Sequence, residues 1–382
     1  MPSLYIHVPF CVKKCDYCAF YSLPILDRDE IRVYLNGINR EAELWSEEAL
    51  GGVSSLFIGG GTPTVLEPEE MERFFRALEN NFVWKDNIEK TMECNPGTLN
   101  YEKMEIMKKY GINRISLGVQ SFQNRILKGI GRIHNVEDVY ESVKIIRSFG
   151  LDSINFGLMF GLPGQDMKDW KKTVEEAVNL RPEHLSLYGL MLEEGTVLED
   201  KYRNNKLGKN NELPDDDLQA DMYDWVLEYL LAKGYIRYEI SNFSLPGYEC
   251  RHNLTYWRGE DYLGLGPGAF SCLDGVRTKN VENINEYFQF ADKGIKPHAS
   301  SETERLTKEQ RISEYVILGL RTAEGIDLNK FYNKFNIEMQ DIYKEILRKY
   351  IKEKIILEEN GRLRLMDSYF FISNSILKNF II

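Results

Sequence analysis

Three cysteines lie within eight residues near the start of the chain: Cys11, Cys15 and Cys18. A disulfide would pair two of them and leave the third unused, and a closed structural zinc site needs four ligands. Three thiolates suit a four-iron cluster in which one iron keeps an open coordination position, because a cluster held only by protein takes four cysteines. The spacing therefore predicts a [4Fe-4S] cluster, with a Cys3His zinc site that includes His7 as the alternative.

A second group of side chains that can bind a metal lies far along the chain, at Cys250, His252, Tyr256 and Trp257. An imidazole can serve as the axial base of a metallated aromatic macrocycle, and aromatic side chains can stack on its face. We therefore predict His252 as an axial ligand, with Cys250 as the alternative and the Tyr-Trp pair beside the macrocycle. The same residues also fit a half-buried polar turn with a packed aromatic pair. Three further histidines are expected to be ordinary core or surface residues: His134, His184 and His298.

Short apolar runs alternate with amphipathic stretches from residue 1 to about 190. The strands and helices that this pattern predicts must position the cysteines. The predicted strands are residues 4–8, 54–58, 88–93, 113–119, 153–160 and 184–188. The predicted helices between them include residues 68–81, 101–110, 136–149 and 170–180. Six strand–helix units imply a parallel sheet with helices outside, and they are two units short of a closed eight-stranded barrel. We predict an α/β fold with a partial (β/α)6 TIM-type barrel.

The segments that follow the strands share a composition of glycine and polar residues. The cysteine cluster comes after the first strand, and Gly59-Gly60-Gly61-Thr62-Pro63 comes after the second. Residues 93–97, 118–121 and 160–165 follow the next three strands. Consecutive glycines let backbone N–H groups approach a ligand, and ligands gather at the carboxyl ends of parallel strands. These segments are therefore predicted to form one ligand-binding mouth around the cysteines.

The remainder of the chain is predicted to carry a barrel extension and a C-terminal domain of different character. Residues 191–214 are predicted as a polar loop, 215–233 as an amphipathic helix and 235–243 as a strand, whereas residues 262–271 are glycine-rich without a nucleotide fingerprint. After a polar linker at 300–305, helices are predicted at 308–320, 327–335, 339–352 and 367–380, with a hairpin of 355–358 and 363–366 joined by Asn360-Gly361. This order predicts a winged-helix-like α+β domain that serves as a lid or partner surface. The predicted domains are residues 1–190, 191–300 and 301–382.

The composition limits the class of protein. The formal net charge of the 382 residues is −11, which argues against a nucleic-acid partner because such binding requires a basic surface. The sequence has no apolar run of about 18 residues that could span a membrane, and the N-terminus lacks the basic and apolar regions of an export signal. Half of the six cysteines are clustered, which indicates metal binding rather than a disulfide scaffold. We therefore expect a cytoplasmic protein, because reducing conditions protect iron-bound thiolates.

The cysteine spacing, with Tyr17 before the last cysteine, resembles that of radical S-adenosylmethionine (SAM) proteins. Together with residues 5–10 and 59–63, it resembles the subgroup that contains oxygen-independent coproporphyrinogen III oxidases and haem chaperones of the HemW type, and the resemblance covers essentially the whole chain. Three features favour the haem chaperones. Phe20 stands where the oxidase has a further cysteine, the sequence begins four residues before Tyr5 where the oxidase has a long extension, and residues 252–257 match the HNxxYW motif of the chaperones.

The resemblance implies roles for individual residues. The three cysteines would hold the cluster, and its open iron would bind the amino and carboxylate groups of SAM. The positions that would contact SAM are Tyr5, Tyr17, Gly60, Gly61, Thr62, Glu93, Gln120 and Arg132. Gly157 stands where the family carries an aspartate, with Asn155 nearby. The resemblance therefore does not extend to the SAM contact that this aspartate makes, above all to a second SAM.

The resemblance implies two alternative functions. As an oxidase, the protein would use the reduced cluster to cleave SAM into a 5′-deoxyadenosyl radical and would decarboxylate two propionates of coproporphyrinogen III. As a haem chaperone, it would carry haem as cargo, with His252, Tyr256 and Trp257 at the haem, and would pass it to apo-haemoproteins, including membrane respiratory enzymes. We favour the chaperone and keep the oxidase as the alternative. A homodimer and transient membrane association through a partner are further expectations.

Overall fold

A sheet of twelve strands forms the centre of the structure, a computed structural model that describes residues 1–49, 51–151, 153–208 and 212–382. Up to residue 189 the strands are β1 (Ser3–Val8), β2 (Phe10–Cys11), β3 (Leu23–Pro24), β4 (Val53–Gly60), β5 (Trp84–Cys94), β6 (Arg114–Gln120), β7 (Ser153–Phe160) and β8 (His184–Gly189). The helices of this part are α1 (Arg28–Trp45), α2 (Pro68–Asn81), α3 (Tyr101–Lys109), α4 (Asn124–Gly129), α5 (Val136–Ser148) and α6 (Met167–Asn179). β2 and β3 form a separate small sheet.

Six strands of the large sheet run parallel in the order β1-β4-β5-β6-β7-β8. Side chains alternate between the two faces of a strand, so β1 buries three residues on its outer face and turns Tyr5 and His7 to the inner face. The three outer residues are fully buried: Leu4, Ile6 and Val8. The predicted α/β class, with a parallel sheet in a partial rather than a closed barrel, is confirmed.

The helices cover the outer face of the sheet because each presents an apolar stripe. In α2 the buried residues follow the spacing of one helical face: Met71, Phe74, Phe75, Ala77 and Leu78. The same helix begins with a capping box of Glu67 and Glu70, and Pro68 occupies its first turn, where its missing N–H costs nothing. Among the described residues, no helix combines the length and the apolar character that a membrane span requires.

The middle of the chain extends the sheet at both edges. Its elements are α7 (Val197–Arg203), α8 (Asp216–Ala232), β9 (Ile236–Arg237), β10 (Asn242–Ser244), α9 (Arg251–Trp257), β11 (Tyr262–Leu265), β12 (Phe270–Leu273), β13 (Val276–Lys279) and α10 (Ile284–Asp292). β11 pairs with β1 in parallel, and β12 and β13 follow it as an antiparallel meander. At the other edge, β10 and β9 continue from β8 in antiparallel pairing.

Two predictions for this part of the chain are wrong, and two elements were not predicted. The predicted loop 191–214 contains α7, and residues 209–211 of that loop lie outside the described residues. The predicted strand 235–243 is two short strands. Residues 250–258, for which a half-buried polar turn was the alternative interpretation, contain the helix α9. β11 was missed because of its glycines; a side chain at Gly264 would place its Cβ 2.1 Å from the backbone oxygen of Phe270, so only glycine fits there.

The C-terminal part has its own apolar core, which includes Phe331, Leu347 and Phe370. Its elements are β14 (Glu304–Arg305), α11 (Lys308–Gly319), β15 (Ile326–Asp327), α12 (Leu328–Phe335), α13 (Met339–Lys352), β16 (Ile356–Glu359), β17 (Arg362–Leu365) and α14 (Ser373–Leu377). β14 joins the large sheet, whereas β15, β17 and β16 form a small antiparallel sheet beside the helices, so the predicted winged-helix-like arrangement is present.

The predicted last helix over 367–380 is wrong. The segment is a 3-10 turn (Asp367–Tyr369), the short helix α14 and a second 3-10 turn (Lys378–Phe380). Asp, Ser and Asn side chains in this segment compete for backbone hydrogen bonds and favour turns over a continuous helix. The division of the chain at residues 190 and 300 stays a prediction.

Candidate functional site

The cysteine loop, residues 11–18, leaves the carboxyl end of β1 through β2. All three thiols are free and partly exposed, and the backbone N–H of Cys18 donates to the oxygen of Cys15 at 3.2 Å. Among the described residues, no group of three or more His, Cys, Asp or Glu side chains is close enough together to hold a single metal ion.

His7 has no ring nitrogen left for zinc. The hydroxyl of Tyr5 donates to Nδ1 of His7 at 2.9 Å, and Nε2–H donates to the backbone oxygen of Tyr21 at 2.9 Å. Burial lowers the pKa of His7, in keeping with a neutral ring that uses both nitrogens. The Cys3His zinc alternative is therefore not supported by this geometry.

Asp16 fastens the cysteine loop to two other parts of the chain. Its backbone N–H donates to the oxygen of Ile130 at 3.1 Å, and its backbone oxygen accepts from Leu198 at 2.7 Å. Its carboxylate pairs with the ammonium of Lys201 in α7 at 2.5 Å. Gly131 packs against this carboxylate with φ of +76°, and a Cβ there would lie 2.4 Å from Asp16 Oδ1. The loop is thus held in place before any metal binds.

A chain of hydrogen bonds connects two of the three cysteines. Oγ1 of Thr62 lies 3.6 Å from Sγ of Cys11 and accepts from Nδ2 of Asn95 at 2.7 Å, which leaves the Thr62 hydroxyl proton free to point at the sulfur. Oδ1 of Asn95 accepts from Nη2 of Arg132 at 2.6 Å, and Nη1 of Arg132 lies 3.4 Å from Sγ of Cys15. Hydrogen bonds to sulfur stabilise iron-bound thiolates, so the residues present fit an iron–sulfur cluster.

Arg132 is oriented by His134, which was expected to be an ordinary residue, and by the backbone at the end of β6. Nη2 also donates to the backbone oxygen of Gly118 at 2.7 Å, and Nε donates to Nδ1 of His134 at 3.2 Å. Nε2–H of His134 donates in turn to the backbone oxygen of Val119 at 3.2 Å. Burial, and then the charge of Arg132, lower the pKa of His134 to about 3, so its Nδ1 remains an acceptor. His134 therefore positions Arg132.

The glycine turn after β4 passes close to the end of β1. Gly60 has φ of +108°, and a Cβ there would lie 2.6 Å from Cε1 of His7, while one on Gly61 would lie 2.5 Å from the backbone oxygen of Phe10. The N–H of Gly60 donates to Oε2 of Glu93 at 3.1 Å. Burial raises the pKa of Glu93 to about 7 and raises that of Tyr5 well above its usual value. The turn and the carboxylate together form one wall of the mouth.

The other predicted SAM contacts differ in their surroundings. Gln120 ends β6 with φ of +66°, at an irregularity in the pairing with β7. Tyr17 packs on a small apolar cluster beside β7, and burial raises its pKa. Gly157 has no close neighbour where a side chain would extend, and the amide of Asn155 is bonded to Ser116 and His184 instead. Asn155 therefore does not take the place of the missing aspartate.

The HNxxYW helix, α9, lies at the amino ends of the strands, whereas the cysteines lie at their carboxyl ends. His252 is 1% exposed at the amino ends of β1 and β4. Its Nδ1 lies 2.9 Å from Oγ of Ser55, its Nε2 lies 3.0 Å from the hydroxyl of Tyr256, and its ring stacks on Phe57 at 5.2 Å. The role of His252 as an axial ligand stays a prediction, and it now requires that the ring leave this pocket.

Contacts from distant residues place α9 at this edge. The carboxylate of Glu89 accepts from the backbone N–H groups of Arg251 at 3.1 Å and His252 at 3.0 Å, and the Cys250 thiol lies 3.4 Å from it. The hydroxyl of Thr255 is 2.7 Å from that of Ser3 in β1. The structure therefore does not bring the two predicted groups of site residues together.

Comparison with known families defines the class of protein. Residues 5–177 match the Radical SAM superfamily, and residues 306–368 match the HemN C-terminal domain. The solved structure of the coproporphyrinogen III oxidase HemN from Escherichia coli covers 100% of this chain and 90% of its own length with a TM-score of 0.85, and the sequence identity of 22% limits that likeness to the fold. Fold and cysteine loop define a radical SAM protein, a class that implies a [4Fe-4S] cluster and SAM as cofactors.

Curated relatives identify the family within this class. The heme chaperone HemW of Lactococcus lactis is 36% identical over 100% of this chain and 97% of its own length. The heme chaperone HemW of Bacillus subtilis is 34% identical over 100% of this chain and 99% of its own, and that of Escherichia coli is 37% identical over 75% of both. This chain belongs to the HemW family, as the sequence motifs predicted.

Proposed function

We propose that this protein is a haem chaperone that holds a [4Fe-4S] cluster, binds SAM beside it and passes haem to apo-haemoproteins, membrane respiratory enzymes among them. The observation that carries the proposal is the 36% identity to the Lactococcus lactis heme chaperone HemW, because it extends over the whole chain. It therefore includes the cysteine loop, α9 and the C-terminal part. The oxidase alternative is supported by the shared fold and by the match of residues 306–368 to the HemN C-terminal domain.

Contacts at the mouth support the assignment of cluster ligands. Cys11, Cys15 and Cys18 would ligate three irons, and Thr62 and Arg132 would donate hydrogen bonds to the sulfurs of the first two. The cluster and SAM, when bound, supply one-electron chemistry. Before they bind, the hydrogen bonds from Thr62 to Arg132 already hold two of the ligands in place.

The wall next to the cysteines supports a site for the methionyl end of SAM. The N–H groups of Gly61 and Thr62 donate to the backbone oxygens of Val8 at 2.8 Å and Phe10 at 2.7 Å, which fixes the turn after β4. The carboxylate of Glu93 lies behind this turn with one protein donor, the N–H of Gly60. The amino group of SAM would keep N–H donors when its nitrogen binds the open iron, and this carboxylate can accept from them, because a buried polar group needs a hydrogen-bond partner. Tyr5, Tyr17 and Gln120 would complete the walls around SAM, with Gly61 at the turn.

Haem transfer and porphyrinogen turnover, measured on one preparation, test the proposal. The protein is purified without oxygen and its iron and sulfide are counted, then ferric haem is titrated and its transfer to an apo-haemoprotein is recorded. A parallel sample receives SAM, a reductant and coproporphyrinogen III. We expect about four irons per chain, as a [4Fe-4S] cluster requires, saturable haem binding and transfer, and no protoporphyrinogen.

The control is a Cys11→Ser/Cys15→Ser/Cys18→Ser variant, which should lose the iron but keep its fold, because the loop thiols lie outside the apolar core. Substrate-dependent formation of protoporphyrinogen by the loaded protein would contradict the chaperone and establish the oxidase. A preparation that holds a single zinc ion would contradict the cluster.

A further inference from the structure

The ring of His252 lies in a closed pocket between α9 and β4. His252 is 1% exposed, and its ring stacks on Phe57 and meets Tyr256 edge to face, with ring centroids 5.2 Å apart in both pairs. Nδ1 lies 2.9 Å from Oγ of Ser55, and Nε2 lies 3.0 Å from the hydroxyl of Tyr256. An imidazole that binds a metal needs a nitrogen whose lone pair is free. In this pocket, which we name the His252 pocket, both ring nitrogens already have a partner.

The hydrogen bonds of Ser55 determine which nitrogen of His252 carries the proton. The hydroxyl of Ser55 donates to Oγ of Ser3 at 2.8 Å, and because a hydroxyl has one proton, it accepts from the ring of His252. Nδ1 therefore carries the proton, and Nε2 has the lone pair. The hydroxyl of Tyr256 donates to this lone pair. The nitrogen that is able to bind iron is thus occupied by a hydrogen bond from its own helix.

Contacts of α9 with two strands keep the His252 pocket closed. The carboxylate of Glu89 in β5 accepts from the backbone N–H groups of Arg251 at 3.1 Å and His252 at 3.0 Å. Oγ1 of Thr255 lies 2.7 Å from Oγ of Ser3 in β1. Because the ring lies between the helix and β4, it becomes accessible only when the helix and the strand separate locally. The structure therefore shows a closed state of the helix, in which the imidazole is out of reach of a ligand.

We propose that the His252 pocket is autoinhibitory: the hydroxyl of Tyr256 occupies Nε2 of His252 until haem iron displaces it. The proposal rests on the haem-carrier function proposed above, with His252 as the axial ligand. Binding breaks the hydrogen bond from Tyr256 and forms one iron–nitrogen bond. Nδ1 keeps its proton, and ferric iron remains ferric. Neutral imidazole is an established ligand of haem iron.

The His252 pocket sets the apparent affinity of the protein for haem. When the closed state predominates, the apparent dissociation constant is the intrinsic one divided by the fraction of open molecules. Each hydrogen bond that holds the ring in the pocket therefore weakens haem binding. The same bonds favour release, because they stabilise the empty protein after haem has passed to an acceptor. Removal of one of them should tighten haem binding, whereas removal of a contact with haem would weaken it.

The test is a titration of ferric haem into the full-length, cluster-containing protein, followed by absorbance and by the electron paramagnetic resonance signal of the haem iron. The wild type should give a histidine-ligated signal, and His252→Gln should lose it. Tyr256→Phe keeps the aromatic ring and removes only the hydroxyl, so its affinity for haem should rise about three- to tenfold, as one lost hydrogen bond predicts. Ser55→Ala should raise the affinity by a similar factor, because Nδ1–H loses its acceptor.

Matched controls are Tyr262→Phe and Ser116→Ala, which make the same two chemical changes elsewhere. Tyr262 packs edge to face on the ring of Tyr256, and the hydroxyl of Ser116 accepts from Nδ2 of Asn155 at 3.0 Å. Neither change removes a partner of the imidazole, so both variants should bind haem as the wild type does. Circular dichroism and iron content verify that each variant is folded and loaded.

A second comparison shows whether the gain acts through the imidazole. In a His252→Gln background, neither Tyr256→Phe nor Ser55→Ala should raise the affinity for haem. Unchanged or weaker binding in both single variants would overturn the autoinhibitory role and leave the carrier function intact. A wild-type signal and affinity in His252→Gln would also overturn it, since another residue would then bind the iron. Failure of the wild type to bind haem would overturn the carrier function as well.

Discussion

The buried ring of His252 should make the stability of the protein depend on pH in a way that one substitution removes. Burial lowers the pKa of His252 from 6.5 to about 3. Because the folded-state pKa is depressed, the stabilisation by the neutral ring is complete above the unfolded pKa of about 6.5 and is lost as the pH falls toward 3. At 1.36 kcal/mol for each unit, the wild type should lose about 2 kcal/mol from this residue between pH 7 and pH 5.

The variant His252→Gln carries no proton-binding group at this position. At pH 7 it should be less stable than the wild type by about 2 kcal/mol, because glutamine does not reproduce both hydrogen bonds and the stacking on Phe57. At pH 5 this gap should nearly vanish, since only the wild type has lost stability through the ring. The free energy of unfolding is measured by urea titration with tryptophan fluorescence at both pH values.

Asn253→Ala serves as the control, because Asn253 is the next residue of α9 and does not titrate. Its stability difference from the wild type should be the same at pH 7 and pH 5. An equal gap at both pH values for His252→Gln would refute the reasoning, since the ring would then not be held neutral and buried. It would also restore His252 as a residue that is open to a metal.

Three further predictions concern the cluster mouth. Arg132→Gln removes an N–H donor next to a cluster ligand, so the reduction potential of the cluster should fall in a titration followed by electron paramagnetic resonance. In the wild type, SAM affinity measured by calorimetry should rise from pH 6 to pH 8 as Glu93 loses its proton, whereas Glu93→Gln should bind weakly at both; an unchanged pH profile in Glu93→Gln would exclude this carboxylate. Lys201→Met should change the free energy of unfolding by less than about 1 kcal/mol yet lower the iron content, because Asp16 loses the ion pair that holds its side chain. Arg203→Met on the same helix should match the wild type.

The sequence predicted those parts of the fold in which local pattern decides structure. The six parallel strands are apolar runs between amphipathic helices, and this alternation can be recognised in the sequence without knowledge of the tertiary contacts. β11 was missed because Gly264 weakens a strand in isolation, and the parallel neighbour β1 supplies the hydrogen bonds that stabilise it. α9 was missed for a similar reason: Glu89, from a distant strand, accepts from its first N–H groups.

The candidate site shows the same division between local and distant information. The spacing of the cysteines and the rule that ligands gather at carboxyl ends of parallel strands were enough to predict a mouth around them. The rule could not tell that Asn95 would join Thr62 to Arg132, because this depends on how three strand ends meet. The sequence also could not predict that α9 lies far from the cysteines. Both segments carry side chains that can bind a metal, and only the strand topology shows that they lie at opposite ends of β1.

β1 separates the two ends of the molecule. Its amino end bonds to α9 through Ser3, its carboxyl end leads into the cysteine loop, and six residues of strand measure about 20 Å. A reductant that reaches the cluster and a protein that contacts α9 would therefore approach from opposite directions. Under the proposed function, the two partners would use separate surfaces of the molecule, so one would not have to leave before the other binds.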